Sequence, residues 1–282
     1  MGTLAQAEDL AARLGDPALR VIDCRYDLAR PGYGREAWAG GHLPGAPHAD
    51  LHHDLSAPVT ATSGRHPLPS PSDFAATLRR LGVGRATRVV AYDDGNGTYA
   101  SRLWWMLRWL GHDEVSVLDG GWARWTALGL PVDSTVPSPV QGDFVEQPRP
   151  EMAVDAAAVL ASIGVADVVM LDARAPERYR GEVEPIDAVA GHVPRARNRP
   201  FAASLGADGR FLPPAQLRAA LLEDLGGTPP SRAIAMCGSG VTACHLLLAL
   251  EHAGLGGGRL YPGSWSEWSR DPSRPVARGA EP

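Results

Sequence analysis

The sequence predicts an α/β protein built as two tandem domains, each a mainly parallel sheet flanked by helices. Two observations carry that expectation. Short aliphatic runs alternate with helical stretches along the chain, the pattern that lays helices over a parallel sheet. Four segments of the first half also recur, in the same order, in the second half.

The repeats are specific. Val21-Ile22-Asp23-Cys24-Arg25 is echoed by Met170-Leu171-Asp172-Ala173-Arg174, and Gly41-His42-Leu43-Pro44 by Gly191-His192-Val193-Pro194. Val89-Val90-Ala91-Tyr92-Asp93 lines up with Ala233-Ile234-Ala235-Met236-Cys237, and Gly120-Gly121-Trp122 with Gly263-Ser264-Trp265. The offsets are 149, 150, 144 and 143 residues, a tandem pair rather than a solenoid. Helical spacing marks Phe74 to Leu81, Ser101 to Leu110, Ala215 to Leu225 and Ala243 to Leu250.

Between the halves, five prolines fall between Leu130 and Pro150 among few aliphatics, which predicts an extended linker. The expected domains are therefore residues 1–133 and 151–282, joined by 134–150. The apolar-poor tail from Asp271 to Pro282 is expected to fray.

A length of 282 residues suits two domains with their own cores. The formal net charge of -5 gives no basis for binding nucleic acid or an anionic membrane surface. No apolar run is long enough to span a bilayer. The first residues lack a basic stretch followed by an apolar one, so no secretory signal is expected there. Three cysteines in a chain of this length argue for a reducing compartment, and the cytoplasm is the expected one.

Cys237 is the residue that carries chemistry. It ends the strand-like run Ala233–Met236 and precedes Gly238-Ser239-Gly240-Val241-Thr242 and a helical stretch. A cysteine at a glycine-rich strand-to-helix turn lies under converging backbone N–H groups and the positive end of a helix, which favours thiolate. Cys244 lies two turns into an apolar helix and Cys24 lies in the first strand region, so both read as packing residues.

Three chemistries could use the Cys237 loop. A tyrosine-phosphatase-type site needs an arginine as the sixth residue after the cysteine to clamp a phosphoryl group, and that residue is Ala243. A dinucleotide site is suggested only loosely by Gly238-x-Gly240-x-x-Ala243, with too little chain after it for the remaining strands. The third is sulfur transfer, in which a thiolate among N–H donors attacks a sulfane sulfur and the same donors stabilise the persulfide. The six residues from Cys237 to Thr242 suit a sulfur atom better than a tetrahedral phosphate.

The segment Cys237-Gly238-Ser239-Gly240-Val241-Thr242-Ala243-Cys244 resembles the active-site loop of the tandem rhodanese family, most closely its 3-mercaptopyruvate sulfurtransferase branch. The likeness extends through Gly41–Ala46, the paired Asp-x-Arg strands, Trp104-Trp105 and Gly263–Trp268. It implies two rhodanese-like domains with a silent first one, in agreement with Asp93 at the cysteine position. It also implies a transient persulfide on Cys237, no metal and no organic cofactor. Gly238, Gly240, Val241 and Thr242 would wrap the donor sulfur.

Thiosulfate is a dianion, and the branch that prefers it has basic residues after the cysteine. Gly238 and Ser239 are neutral here, which suits monoanionic 3-mercaptopyruvate. By the resemblance, Arg178 would bind the donor carboxylate, and Ser239 with His66 would handle a proton. Two positions depart from the branch. Its second arginine, in Glu-Pro-Arg, is Ile186 here, with Arg195, Arg197 or Arg199 as candidate substitutes. Its relay aspartate is His52, leaving Asp50 or Asp54, or a shorter relay, as alternatives.

Asp23, Arg25, Asp172, Arg174, His42 and His192 occur in both halves and read as structural, as do the paired tryptophans. The expected reaction moves sulfur from a small donor to Cys237 and on to a thiol, thioredoxin or cyanide. A monomer would suffice. The alternatives are a thiosulfate-preferring enzyme and a non-catalytic sensor or scaffold module.

Overall fold

Each half of the chain builds one four-stranded, all-parallel sheet. The computed structural model describes residues 2–30 and 32–282. In the first half the elements are β1 (Leu4–Ala5), α1 (Ala7–Ala11), β2 (Leu19–Asp23), α2 (Tyr33–Gly40), α3 (Pro71–Arg80), β3 (Arg88–Tyr92), α4 (Ala100–Trp109), β4 (Val115–Leu118) and α5 (Gly121–Ala127). The second half contains α6 (Ala156–Ser162), β5 (Val169–Asp172), α7 (Pro176–Tyr179), β6 (Ala196–Asn198), α8 (Pro214–Leu225), β7 (Ala233–Met236), α9 (Thr242–His252), β8 (Arg259–Leu260) and α10 (Ser264–Trp268).

The strand orders are β1-β4-β3-β2 and β6-β5-β7-β8. They match once two bridges are added. His48 pairs with Asp23 beside β2, where β6 stands beside β5, and Ala153 pairs with Leu260 beside β8, where β1 stands beside β4. Both halves thus share one topology. The expected strands and helices lie within three residues of these bounds.

Local sequence explains the element ends. Ser70 caps α3 by accepting the Asp73 N–H at 3.1 Å, with Pro71 at the first helical position. Asp155 caps α6 through the Ala158 N–H at 2.8 Å. Strands β3, β4, β5 and β7 are near-continuous runs of buried apolar residues, as central strands covered on both faces must be. The tryptophans anchor the two cores: Trp125 packs with Val90, Tyr92 and Leu118, and Trp265 and Trp268 with Met170, Ile234 and Tyr261.

Compact units follow the sheets, with two exchanged segments. The first unit comprises Met1–Ala57, Leu68–Arg149 and Ala207–Phe211, and the second Pro58–Pro67, Pro150–Gly206 and Leu212–Pro282. This grouping differs from the expected division at 133 and 151 in three stretches. Residues 134–149 form no helix or strand but are tied to the first unit through Gly142 N–H to Arg79 O, Gln147 N–H to Leu110 O and Arg149 N–H to Trp109 O. The buried Phe144 ring rests there against His112. In the first unit, Arg210 and the Phe211 N–H both bond Asp119. In the second, Arg270 bonds Thr60 O.

The tail is pinned rather than frayed. Ala277 bridges His192, Trp268 Nε1 donates to Pro275 O, and Gly279 N–H donates to Arg180 O at 3.0 Å. Polar backbone bonds hold it despite its lack of apolar side chains. Among the described residues, no helix is long and apolar enough to cross a membrane.

Candidate active site

Strand β7 ends at Met236 and helix α9 begins at Thr242, so Cys237 occupies the carboxyl end of a central strand. Ligands of open parallel sheets gather there. Cys237 is 2% exposed, and the Gly240 N–H points at its Sγ at 3.1 Å. Gly240 takes φ +79°, and a Cβ there would run into the Pro262 carbonyl, so glycine is required on two counts. Val241 is the residue before α9 and is buried, and Thr242 opens that helix.

The loop is latched from the turn at α10. Trp265 N–H donates to Cys237 O and Ser266 N–H to Gly238 O, each at 2.9 Å. Ser264, at φ +51°, accepts the Cys237 N–H on its hydroxyl at 3.0 Å and donates to Tyr261 O. Ser266 Oγ accepts the Arg65 N–H at 3.0 Å and so fixes the backbone of the Pro58–Pro67 segment within the same unit.

That segment delivers two side chains. His66 Nδ1 lies 2.7 Å from Ser239 Oγ, with both residues buried. The pair expected from the resemblance is therefore brought together, and His66 belongs to the second unit although it precedes that half in sequence. Arg65 Nη2 lies 3.0 Å from where a Gly238 Cβ would stand, and Arg178 Nη1 and Nη2 lie 3.5 and 3.7 Å from the same point. Two guanidinium groups therefore flank the residue after Cys237. A basic side chain at position 238 would press against both.

Each arginine has a carboxylate behind it. Arg178 bonds both Glu184 oxygens, at 2.6 and 3.3 Å, and stands 3.5 Å from Asp187. Arg65 pairs with Asp187. Burial pushes Glu184 up, but its bonds from Arg178 and from the Asp187 and Ile186 N–H groups outweigh that, and its carboxyl titrates below the usual range.

Ile186 is half exposed, and of the three candidate substitutes Arg197 and Arg199 engage Asp224 while Arg195 is exposed. The second guanidinium beside the loop is that of Arg65, which the sequence reading missed although it adjoins His66. Ser264 and Ser266 were also missed. Their signal was the repeat itself, since the first half has Gly121 and Ala123 at those places. In the first unit His52 Nε2 meets Tyr26 OH at 2.7 Å, Asp50 accepts the His52 and His53 N–H groups, and Asp54 pairs with Arg80.

The residues read as structural repeat their geometry. Arg25 bonds Asp23 and Gly41 O and lies over Trp122; Arg174 bonds Asp172 and Gly191 O and lies over Trp265. His42 and His192 each place Nδ1 on a backbone oxygen. Burial drives the Cys24 thiol well above its ordinary value, with Asp23 and Asp93 adding to the rise. Cys244 is buried and donates to Gly240 O. Among the described residues, no group of three or more His, Cys, Asp or Glu could hold a metal.

Residues 6–128 and 155–271 each match the rhodanese-like domain family. The chain belongs to that family. It is similar to a Pseudomonas aeruginosa protein named "Probable 3-mercaptopyruvate sulfurtransferase", with 51% identity over 98% of both chains. A Mycobacterium tuberculosis protein provisionally named thiosulfate sulfurtransferase is 43% identical over 98% of this chain and 97% of its own. The structure of 3-mercaptopyruvate sulfurtransferase from Leishmania major superposes with a TM-score of 0.84 at 31% identity, covering 95% of this chain and 74% of that one. The tandem rhodanese fold holds at the level of sequence and of coordinates, and the chain is a sulfurtransferase.

Proposed function

We propose that the protein transfers sulfur from 3-mercaptopyruvate, through a persulfide on Cys237, to a thiophilic acceptor such as a small thiol, thioredoxin or cyanide. The Cys237 thiolate attacks the donor sulfur and forms the S–S bond. The C–S bond breaks, its electron pair going to carbon, and pyruvate leaves as the enolate. A proton then completes pyruvate. An acceptor thiolate attacks the outer sulfur of the persulfide and returns Cys237 to thiolate. No organic cofactor or metal enters this sequence.

The observation that carries the reading is the 2.7 Å contact of Ser239 with His66, next to the cysteine. An enolate must be protonated, so a hydroxyl resupplied by a histidine serves that donor. Thiosulfate expels sulfite, a stable anion that leaves without a proton. Arg178 and Arg65 beside Gly238 offer the donor carboxylate two N–H faces. Gly240, Val241 and Thr242 shape the sulfur site through backbone rather than side-chain chemistry.

The test is a comparison of steady-state kcat/KM for 3-mercaptopyruvate and thiosulfate on one preparation, with cyanide as acceptor. The expected result is a preference for 3-mercaptopyruvate. A preference for thiosulfate, which the half-exposed Ile186 and the Mycobacterium relative favour, would overturn the donor and leave Cys237 chemistry standing.

A further inference from the structure

The Asp187 side chain is 8% accessible, and its Oδ2 accepts no hydrogen bond. A carboxylate in that condition is unusual, because burial without full pairing is unfavourable. Its place explains its presence. Asp187 pairs through Oδ1 with Arg65 Nη1, and its Oδ2 stands 3.5 Å from Arg178 Nη2, an ion-pair distance beyond hydrogen bonding; these are the two guanidinium groups that flank Gly238. Glu184, with 3% side-chain accessibility, holds Arg178 from the other side.

The arrangement leaves a defined face toward the cysteine loop. Arg65 spends Nη1 on Asp187 and directs Nη2 at Gly238, while Arg178 spends Nη2 and Nε on Glu184 and directs Nη1 there. Two N–H donors therefore face the loop from a group whose formal charges cancel: Arg65, Arg178 and Arg174, which stands 3.5 Å from Glu184, against Glu184, Asp187 and the Asp172 partner of Arg174. One donor carboxylate could bridge the two nitrogens. A second negative charge would meet no surplus of positive charge and would lie near the half-paired Asp187.

From this we infer that Asp187 is a specificity-determining residue, a resident carboxylate that selects monoanionic sulfur donors over dianionic ones. The inference rests on the proposed donor preference and deepens it. It departs from a merely structural role in one respect. If Asp187 only held Arg65 in place, its removal would weaken both donors together.

The experiment measures kcat/KM for 3-mercaptopyruvate and for thiosulfate in the full-length wild type and in Asp187→Asn, with cyanide as acceptor. Removing one buried negative charge is expected to raise kcat/KM for thiosulfate about tenfold. For 3-mercaptopyruvate the change should be smaller, so the ratio of the two moves toward thiosulfate. Raising the ionic strength should narrow the wild-type discrimination less than the substitution does, because the group is buried. A ratio that stays put, or moves toward 3-mercaptopyruvate, overturns the inference. Should Asp187→Asn fail to fold by circular dichroism, the same ratio is read in Asp187→Ser. A wild type that prefers thiosulfate overturns the donor assignment instead, and the shift of the ratio on substitution is still scored separately.

Discussion

The two strand-to-helix loops that occupy equivalent places in the two sheets have diverged from one architecture. In the first, Asp93 fills the nest with its own carboxylate: Oδ1 accepts the Gly95 and Gly97 N–H groups, and Oδ2 those of Tyr99 and Ala100, at 2.8 to 3.2 Å. In the second, Cys237 places a sulfur there, with the Gly240 N–H at 3.1 Å. Helix α4 begins seven residues after Asp93, whereas α9 begins five after Cys237. The longer loop closes on an internal anion and the shorter one on a nucleophile. Next along the chain, Asp94 bonds Tyr33, while its counterpart Gly238 faces two arginines. The backbone latch is common to both, with Trp122 N–H on Asp93 O matching Trp265 N–H on Cys237 O. What differs is the length of the loop and its side-chain chemistry, so a nest of amides does not by itself make an active site.

The sharpest way to break the comparison is at the two equivalent positions. Cys237→Ser should lower turnover by at least about 10⁴-fold, since a hydroxyl cannot carry the sulfur. Intact-protein mass spectrometry after donor treatment should show the added sulfur atom on the wild type only. Adding Asp93→Cys to that variant should restore nothing, because Asp94 beside it repels an anionic donor. Activity regained in the double variant would mean that the surrounding charge matters less than the loop.

Ser239→Ala and His66→Ala come next. Each should lower kcat for 3-mercaptopyruvate about 100-fold by removing the proton source for the enolate. The two together should cost little more than either alone, because they act as one unit. Thiosulfate turnover should fall much less. Equal losses with both donors would assign the pair to packing.

Much of this was legible in the sequence because the fold is written twice. The repeated Asp-x-Arg segments and the Val89–Tyr92 and Ala233–Met236 runs located strands, and the contrast of Asp93 with Cys237 located the reactive half. Ser239, His66 and Arg178 came from the resemblance, and the structure brings His66 to Ser239 and Arg178 to Gly238. Arg65 was not legible, because its role depends on Pro58–Pro67 joining the second unit, a long-range fact that no local pattern encodes. The tail was misjudged for a related reason. Its order comes from backbone bonds to His192 and Arg180, and composition cannot reveal those.

The serines of the second latch allow a smaller test. Ser264→Gly with Ser266→Ala gives the α10 turn the residues of its silent counterpart, Gly121 and Ala123. Of the four hydrogen bonds these hydroxyls make, the two that accept the Cys237 and Arg65 N–H groups position the site, and their loss at about 1 kcal/mol each should reduce kcat/KM roughly thirtyfold. The Ser264→Gly component relieves a left-handed residue, so the thermal midpoint should change little while the rate falls. A drop in melting temperature with unchanged kcat/KM would make these serines ordinary turn residues rather than positioning residues for Cys237 and Arg65.

The smallest effect separates the two loops by pH. Burial pushes the Asp93 carboxyl up, and its four backbone N–H bonds offset this only in part. A folded value above the unfolded one means the folded state holds the proton more tightly, so this group's contribution to stability is greatest in acid and declines as pH rises through the folded value. Glu184, held low mainly by Arg178 against burial, works in the opposite sense. Its contribution is present above the unfolded value and is lost as pH falls through the folded one. Urea unfolding from about pH 3 to about pH 6 should therefore show opposite changes of slope in Asp93→Asn and Glu184→Gln relative to wild type. Slopes that change in the same direction would mean that the Asp93 nest stabilises the charged carboxylate after all. The silent loop would then be an anion site in full working order, occupied by its own side chain.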